Sequence, residues 1–288
     1  MKRNWVWVDN RLKLQKAIEA INSSSIVGID TEYDSFRYFR EKLCLIQIKT
    51  FKKTYLFDPF LQMDLTLLDT SFADPYTTKV LHAGDNDLRI LSRDYQFKFN
   101  HVFDTQRAAA LLGVSHLSLS TVIENFLGNK LEKTKRLQRS QWEFRPLTDE
   151  QIQYAVQDTE YLIELYKKMK QELSERGLTE RAQQVFEEEI AAAKWSEKTL
   201  DPVGHKKIKG YEELTRLQKI RLKALHRWRF QKAKETNMAI FLILNDQELL
   251  ELVRIKTYSF QTLESIKNLS PRKLRIFGPE IIHLLKTS

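Results

Sequence analysis

Two acidic side chains follow an apolar run near the start of the chain. Residues 26–29 are apolar or small and lead directly into Asp30, with Glu32 two positions later. Side chains at i and i+2 of a strand point to the same face, so Asp30 and Glu32 are predicted to project side by side. Two such carboxylates repel each other, and a hard divalent cation is the usual way to relieve that repulsion. Taken alone, the pair would also fit a solvated strand end.

Two later motifs offer further carboxylates. Residues 79–88 contain Asp87 shortly after another predicted strand, where Asp85 or Asp87 could also serve only as the N-cap of the next helix. Tyr154 and Asp158 are four positions apart and share one face of a predicted helix. That face continues towards Leu162, so it is predicted to turn inward, where an aspartate needs a partner or a metal. The simpler interpretation is a core tyrosine and an ion-paired aspartate.

Alternating short strands and helices in the first half predict an α/β domain built on a mixed sheet. From Ser118 onward only helices are predicted, and the longest runs from Asp149 to about Arg176 behind a Thr148–Gln151 capping box. Residues 199–210 are predicted to be a linker. The predicted strands are 26–29, 43–48, 54–57, 79–82 and 102–103, and the predicted helices before Ser118 are 11–22, 86–93 and 105–112.

Composition excludes several classes of protein. The eight glycines form neither a dinucleotide-binding nor a P-loop motif, so no nucleotide cofactor is expected. A single cysteine excludes an intramolecular disulfide and fits a reducing compartment. The N-terminal apolar stretch stops at Asp9, and the longest apolar run, 238–244, is seven residues long. That is too short for a membrane span, which needs about 20 residues. The chain is therefore predicted to be soluble and cytoplasmic, with no membrane partner.

The net charge of +9 is located in the last part of the chain. Residues 206–288 carry 18 Lys and Arg against 8 Asp and Glu, whereas residues 1–205 are close to neutral. A basic module attached to a neutral body is typical of proteins that bind a polyanion, because Lys and Arg release counterions from a phosphate chain. Soluble basic helices without such a partner would fit the same charge equally well.

In their order along the chain, the three acidic motifs resemble the DEDD superfamily of 3′–5′ exonucleases, in its tyrosine-bearing subgroup. The ribonuclease D family is the closer match, over roughly residues 5–195. The tail resembles an HRDC domain, through residues that include Leu222, Leu225, Trp228-Arg229, Asn237, Phe241 and Leu269. The motifs of the first part are His82-Ala83-Gly84, Phe103-Asp104-Thr105-Gln106, Ser140-x-Trp142-x-x-Arg145-Pro146-Leu147 and Gln151-x-x-Tyr154-Ala155-x-x-Asp158.

The resemblance implies a ribonuclease H-like mixed sheet flanked by helices, followed by a small all-helical bundle. It places an exonuclease domain at 1–198 and the HRDC-like domain at 211–288. It also implies that two divalent cations, Mg²⁺ or Mn²⁺, are bound by four acids, and that Tyr154 orients the attacking water or helps to deprotonate it. The catalytic residues carried over are thus Asp30, Glu32, Asp87, Tyr154 and Asp158, and the acids among them are the metal ligands.

The implied activity is release of nucleoside 5′-monophosphates from the 3′ end of RNA, in the maturation of tRNA or another stable RNA. The implied partner is an RNA with a free single-stranded 3′ end. A DNA-directed 3′–5′ exonuclease is the first alternative, because no residue that reads the 2′-hydroxyl can be identified. A non-catalytic nucleic-acid-binding protein is the second. The presence of all five key residues argues against a decayed site.

A further set of residues is predicted to contact the nucleic acid. Phe36 could stack on a base, and a basic stretch before Trp142 could contact the RNA backbone. Packing of the aromatic ring and a solvated loop are the alternatives. Two features depart from the family pattern. Gln141 stands where ribonuclease D relatives usually have an acidic residue, and one HRDC-like module follows where enteric ribonuclease D carries two. The predicted contact residues are His82, Phe36, Lys133, Lys135, Arg136 and Arg139.

Overall fold

The computed structural model describes residues 4–131 and 135–288, with the side chain of residue 135 outside the description. Its internal contacts divide the chain into two compact units. The first unit runs to Asp34 and resumes over Leu43–Ser196. The second unit consists of Ser35–Lys42 and Glu197–Ser288. The short segment Ser35–Lys42 therefore belongs to the helical C-terminal unit, although it lies between two strands of the first.

The described strands form one six-stranded mixed sheet in the order β1-β4-β3-β2-β5-β6. Strand β2 is parallel to β5, which is parallel to β6, and β1 is parallel to β4. Strand β3 runs antiparallel to β4. The predicted mixed sheet is confirmed, and β1 is a strand that sequence reasoning missed. The strands are β1 Trp5–Val8, β2 Ile26–Asp34, β3 Lys42–Lys49, β4 Thr54–Phe57, β5 Thr78–Leu81 and β6 Val102–Asp104.

The helices of the first unit follow the predicted order, except that the short helix Asp69–Ala73 was not predicted and the longest predicted helix is divided. Thr148 and Gln151 form the predicted capping box. The predicted long helix is instead two helices, which meet at Tyr161. The helices described in the first unit are α1 Arg11–Asn22, α2 Asp69–Ala73, α3 Asp85–Tyr95, α4 Thr105–Leu111, α5 Leu119–Leu127, α6 Lys135–Gln138, α7 Asp149–Glu160, α8 Leu162–Glu175 and α9 Thr179–Ala192, with a 3-10 helix at Leu65–Leu68.

Apolar side chains cover both faces of the sheet. Adjacent residues of β5 separate the two cores, because successive strand residues point to opposite faces. Leu81 joins a core that includes residues of α1 and α3, and Val80 joins one that includes residues of α4, α5, α8 and α9. On the second face, a Cβ at Gly28 of β2 would lie 3.1 Å from Cβ of Leu162. Glycine at this position therefore allows the start of α8 to pack closely on β2.

The second unit is helical, with its own apolar core. Leu222, Leu225 and Leu249 are fully buried in it. Ser270 caps the last helix and Pro271 occupies its first turn, as predicted. The helices are α10 Arg216–Thr236, α11 Ile240–Ile243, α12 Asp246–Arg254, α13 Phe260–Glu264 and α14 Pro271–Thr287, with a 3-10 helix at Gly204–Lys207.

Two segments of the second unit differ from the sequence-based expectation. Residues 199–210, predicted to be a linker, fold with this unit because His205 and Ile208 are buried in it. In the segment Ser35–Lys42, Phe39 is buried and its ring lies 5.2 Å from that of Phe230. The backbone N–H of Phe39 also donates to the carbonyl of Asn237 at 3.2 Å.

Within the described ranges 4–131 and 135–288, no helix combines the length and the hydropathy that crossing a membrane requires.

Candidate active site

Strand β2 delivers the first two acids to the face that is covered by α7 and α8. Gly28, Asp30 and Glu32 are separated by two positions each, so they share one face of the strand. Gly28 faces Leu162 at the start of α8, and α7 also packs on β2. The apolar residues on either side of Gly28, Val27 and Ile29, point into the opposite core. The two carboxylates therefore face the helices and not that core.

Helix α7 brings a third acid to the same place. The capping box at Thr148 fixes where the helix begins, and hence which face is turned to the sheet. Carboxylate oxygens of Asp30, Glu32 and Asp158 lie within 4.8 Å of one another. In the described part of the chain, no other group of three potential metal ligands comes this close. Tyr154 lies one turn before Asp158 on the same helix, and interaction with that carboxylate contributes to the raised pKa of its hydroxyl.

Asp87 reaches the site from α3, which begins directly after β5. It is buried in the first turn of that helix and lies outside the group of three close carboxylates. Its carboxylate accepts a hydrogen bond from the hydroxyl of Thr31, the residue between Asp30 and Glu32. This bond connects α3 to β2. Thr31 is a site residue that sequence reasoning missed, since the strand pattern assigns it to the face opposite its acidic neighbours.

Burial and like charge both oppose ionisation in this cluster, and burial has the larger effect. Burial raises the pKa of Asp30 well above its ordinary value, and the charges of Asp87 and Asp158 raise it further. Burial and then the charges of Asp30, Asp158 and Asp87 raise the pKa of Glu32. Burial is also the main cause that raises the pKa of Asp87 to about 7 and that of Asp158 to about 6. Each acid therefore resists ionisation unless positive charge is supplied.

Tyr154 is held in its protonated form. Burial raises the pKa of its hydroxyl, and the charges of Asp158 and Glu32 raise it further. The hydroxyl is consequently a donor and an orienting group, and it is a poor general base. This favours the orienting role among the roles that the sequence allowed for Tyr154.

The cluster fits hard divalent cations. Mg²⁺ and Mn²⁺ prefer oxygen ligands, and all four acids offer carboxylate oxygens. Glu32 and Asp87 are 8 and 6% exposed, so solvent screening of their repulsion is weak. Bound cations would supply the missing positive charge and would favour the ionised carboxylates that bind them.

His82 is tied to the protein through both ring nitrogens. Nδ1 lies 2.9 Å from Oγ1 of Thr105, and Nε2 lies 3.0 Å from the carbonyl oxygen of Leu117. Burial lowers the pKa of His82. A ring that uses both nitrogens internally joins β5 to α4 and to the loop before α5. Both ring nitrogens of His82 have partners within the protein, and its contact with RNA stays a prediction.

The other predicted contact residues are distributed over both units. Phe36 lies in the second unit, where its ring is 4.9 Å from that of Phe241, so stacking on a base stays a prediction. Arg136 and Arg139 are exposed on and just after α6, and Arg136 pairs with Glu150 at 2.6 Å. Lys133 lies outside the described residues, and only the backbone position of Lys135, at the start of α6, is described.

Asp104 has a larger role than the predicted cap of α4. Its Oδ1 accepts from the backbone N–H groups of Gln106 and Arg107, as predicted. Its Oδ2 accepts from the N–H of Gly84 at 2.7 Å, and Gly84 immediately precedes α3. Asp104 thus fixes the start of the helix that carries Asp87. In the sequence, this second contact is indicated only by the position of Asp104 at the end of a predicted strand.

The first unit matches a known protein family. The family described as 3′–5′ exonuclease matches residues 5–174, which include all five predicted catalytic residues. The chain belongs to this 3′–5′ exonuclease family. A second match, to the HRDC domain, covers residues 218–285 of the helical unit. Members of the DEDD exonuclease superfamily use divalent metal ions, in agreement with the acidic cluster.

Similar proteins span more of the chain. Ribonuclease D of Shewanella sp. (strain ANA-3) is 28% identical over 287 residues, which cover 98% of this chain and 72% of that protein. The Drosophila melanogaster exosome complex component 10 homolog is 29% identical over 275 residues. This match covers 93% of the chain but only 30% of the Drosophila protein.

The crystal structure of Escherichia coli RNase D superposes with a TM-score of 0.74 at 26% identity. The superposition covers 99% of this chain and 75% of the E. coli chain, which is described as an exoribonuclease involved in structured RNA processing. The predicted resemblance to ribonuclease D, the ribonuclease H-like fold and the assignment to hydrolytic 3′–5′ exonucleases are confirmed.

Proposed function

We propose that this exonuclease removes nucleoside 5′-monophosphates one at a time from the 3′ end of RNA, with two divalent cations at the acidic cluster. The observation that carries the proposal is the convergence of Asp30, Glu32 and Asp158 within 4.8 Å, beside Asp87 and Tyr154. Such a cluster is costly for folding and useful for binding cations. The similarity to ribonuclease D and to an exosome component supports RNA as the substrate.

The reaction is hydrolysis of the terminal phosphodiester. The water oxygen forms a bond to phosphorus, the bond from phosphorus to the 3′-oxygen breaks, and that oxygen takes up a proton. Two cations held by the four acids would stabilise the charge that develops on the attacking and leaving oxygens. Tyr154, whose raised pKa keeps its hydroxyl protonated, orients the water. The natural substrate we propose is a structured RNA with a single-stranded 3′ tail, such as a tRNA precursor.

The test is digestion of a single-stranded RNA labelled at its 5′ end, in the presence of Mg²⁺ or Mn²⁺. We expect a ladder that shortens from the 3′ end, with nucleoside 5′-monophosphates as products. Asp30→Ala and Asp158→Asn should abolish the ladder, whereas Glu164→Gln, an exposed acid on α8, should leave it unchanged. Full activity of the Asp30 or Asp158 variant would refute the site assignment.

Two further outcomes would redirect the proposal. Faster digestion of a DNA oligomer of matched sequence would make the chain a DNA-directed exonuclease that uses the same chemistry. Tight binding of RNA without release of nucleotides at saturating Mn²⁺ would make it a binding protein. The location of the protein in the cytoplasm stays a prediction from the sequence.

A further inference from the structure

Arg145 fastens the segment 140–147, here called the Trp142 bracket, to the sheet. Its guanidinium makes a two-pronged contact with Asp58: Nε donates to Oδ2 at 2.6 Å, and Nη2 donates to Oδ1 at 2.9 Å. The Asp58 side chain is 3% exposed, so this pair is largely removed from solvent. Nη2 also donates to the carbonyl of Cys44 in β3 at 2.6 Å. One side chain therefore joins the bracket to β3 and to the loop after β4.

The same guanidinium fixes the bracket itself. Nη1 donates to the carbonyl of Trp142 at 2.6 Å and to that of Phe144 at 3.0 Å. At the other end of the bracket, the Ser140 hydroxyl accepts from Nε2 of Gln151 in α7 at 3.0 Å. The backbone around Trp142 is thus held between the sheet and the helix that carries Tyr154 and Asp158.

Trp142 transmits this position to the site. Its side chain is 1% exposed and packs in a small core with Ala155 and Val156 of α7. Its ring lies 6.0 Å from the ring of Tyr154. Its indole Nε1 is buried and has no hydrogen-bond partner among the described residues. Packing and the backbone, not a hydrogen bond from the indole, therefore fix where the ring stands.

We propose that Arg145 is a positioning residue for Tyr154, acting through Trp142. This inference rests on the proposed function, in which Tyr154 orients the attacking water. The planar guanidinium is pre-organised for its contacts with Asp58 and with the three carbonyls, and a lysine at this place would keep the charge but lose the fork. Without these guanidinium contacts, the Trp142 bracket shifts and Trp142 moves away from Tyr154. The phenol then adopts orientations in which it cannot orient the attacking water.

The test is a double-mutant cycle between Arg145→Lys and Tyr154→Phe, measured on a 3′-labelled RNA. We expect Arg145→Lys to lower kcat by about 10- to 100-fold, because small displacements of orienting groups carry costs of that size. KM should stay within twofold of the wild-type value. The affinity for Mn²⁺, measured by calorimetry at low temperature, should also stay within twofold. In the Tyr154→Phe background, Arg145→Lys should cause less than about a threefold further loss, since both substitutions remove the same contribution.

A matched control and a second variant keep the test decisive. Arg176→Lys is the control, because Arg176 also donates to a backbone carbonyl, that of Leu112 at 2.9 Å, and pairs with Glu172. It should leave kcat unchanged. Trp142→Phe preserves an aromatic ring in the core, and we expect it to lower kcat without changing KM, with the same loss of additivity towards Tyr154→Phe. It replaces Arg145→Lys in the cycle if the latter fails to fold.

Each outcome has one meaning. Absence of RNA hydrolysis by the wild-type enzyme would refute the proposed function. If the wild type is active, then multiplicative losses in the double variant, a loss confined to KM or Mn²⁺ affinity, or full activity of Tyr154→Phe would each overturn the positioning role of Arg145.

Discussion

Buried charges are arranged in opposite ways in the helical unit and in the active site of the first unit. In the helical unit, the buried Glu248 pairs with Lys273 at 2.7 Å, and Arg229 pairs with Asp246 at 2.8 Å. In the first unit, the acids of the site have one another as close neighbours, and burial together with like charge raises the pKa of Asp30 and Glu32. The first arrangement stabilises a fold on its own, whereas the second needs a cation from solution.

The difference shows where the sequence serves stability and where it serves chemistry. A buried carboxylate that is paired and hydrogen-bonded, like Glu248, contributes to a defined structure. Several buried carboxylates that face each other store unfavourable energy in the protein without metal. That energy is recovered only when cations bind, so it appears in binding and catalysis and not in the stability of the free chain.

The largest expected effect follows from removing one of these charges. Asp158→Asn should lower kcat by a factor of about 1,000, or about 4 kcal/mol, because it removes a ligand for the cations that stabilise the transition state. The same change should raise the melting temperature of the protein in EDTA, since it relieves repulsion with Asp30 and Glu32. Single-turnover hydrolysis and thermal melts measure the two effects.

The control for this prediction is Glu164→Gln, which also neutralises an acid but on the exposed face of α8. It should change neither quantity. A fall in melting temperature for Asp158→Asn in EDTA would show that the cluster is not under electrostatic strain, and the contrast between the two units would fail.

Local patterns predicted the parts of the site that depend on a single element. The alternation of β2 places Asp30 and Glu32 on one face, and the helical spacing does the same for Tyr154 and Asp158. The motif order of the family added the expectation that the two pairs and Asp87 converge. The contact from Thr31 to Asp87 could not be predicted, because it depends on how β2 and α3 approach each other.

Features that depend on distant parts of the chain were not predicted. Strand β1 is four residues long and pairs with β4, about 50 positions later, so its own short pattern carries little signal. The segment Ser35–Lys42 belongs to the second unit because Phe39 is buried beside Phe230. The interruption at Tyr161 also lacks a glycine or proline signal, although Thr159 donates to the carbonyl of Val156 just before it.

The buried ion pair of Glu248 with Lys273 in the helical unit is tested by substitution of Lys273. Lys273→Met should lower the free energy of unfolding by about 3 kcal/mol, because it leaves the Glu248 carboxylate buried without its cation. Lys207→Met, at an exposed pair with Asp201, should have a much smaller effect, because solvent screens that pair. Urea denaturation of the full chain measures both values. Equal effects at the two sites would contradict the distinction between buried and exposed pairs.

The pH dependence of stability tests the unpaired side without any substitution. The pKa of Asp87 is about 7 and that of Asp158 about 6 in the folded protein, both raised mainly by burial. Because the folded state holds these protons more tightly than the unfolded state, their contribution is present at low pH and is lost as pH rises from about 4 to 7. In EDTA, we expect a loss of stability over this range, measured by urea denaturation and compared between wild type and Asp87→Asn.

Saturating Mg²⁺ should remove most of this loss, since bound cations favour the ionised acids. An identical pH profile in EDTA for wild type and for Asp87→Asn would contradict the raised pKa of this carboxyl.

The smallest effect is expected from the exposed positive charge of Arg139, just after α6. Arg139→Gln should raise KM for RNA about two- to threefold at low salt and leave kcat and stability unchanged, because a single phosphate contact on the surface adds modest, screened affinity. Arg139→Lys keeps the charge and should behave as wild type. Kinetics between 50 and 200 mM salt separate the cases, since the difference between Arg139→Gln and wild type should shrink as salt rises. A difference in KM between Arg139→Gln and wild type that persists at high salt would assign Arg139 a structural role. Its charge would then contribute to structure, as the paired charges of the helical unit do.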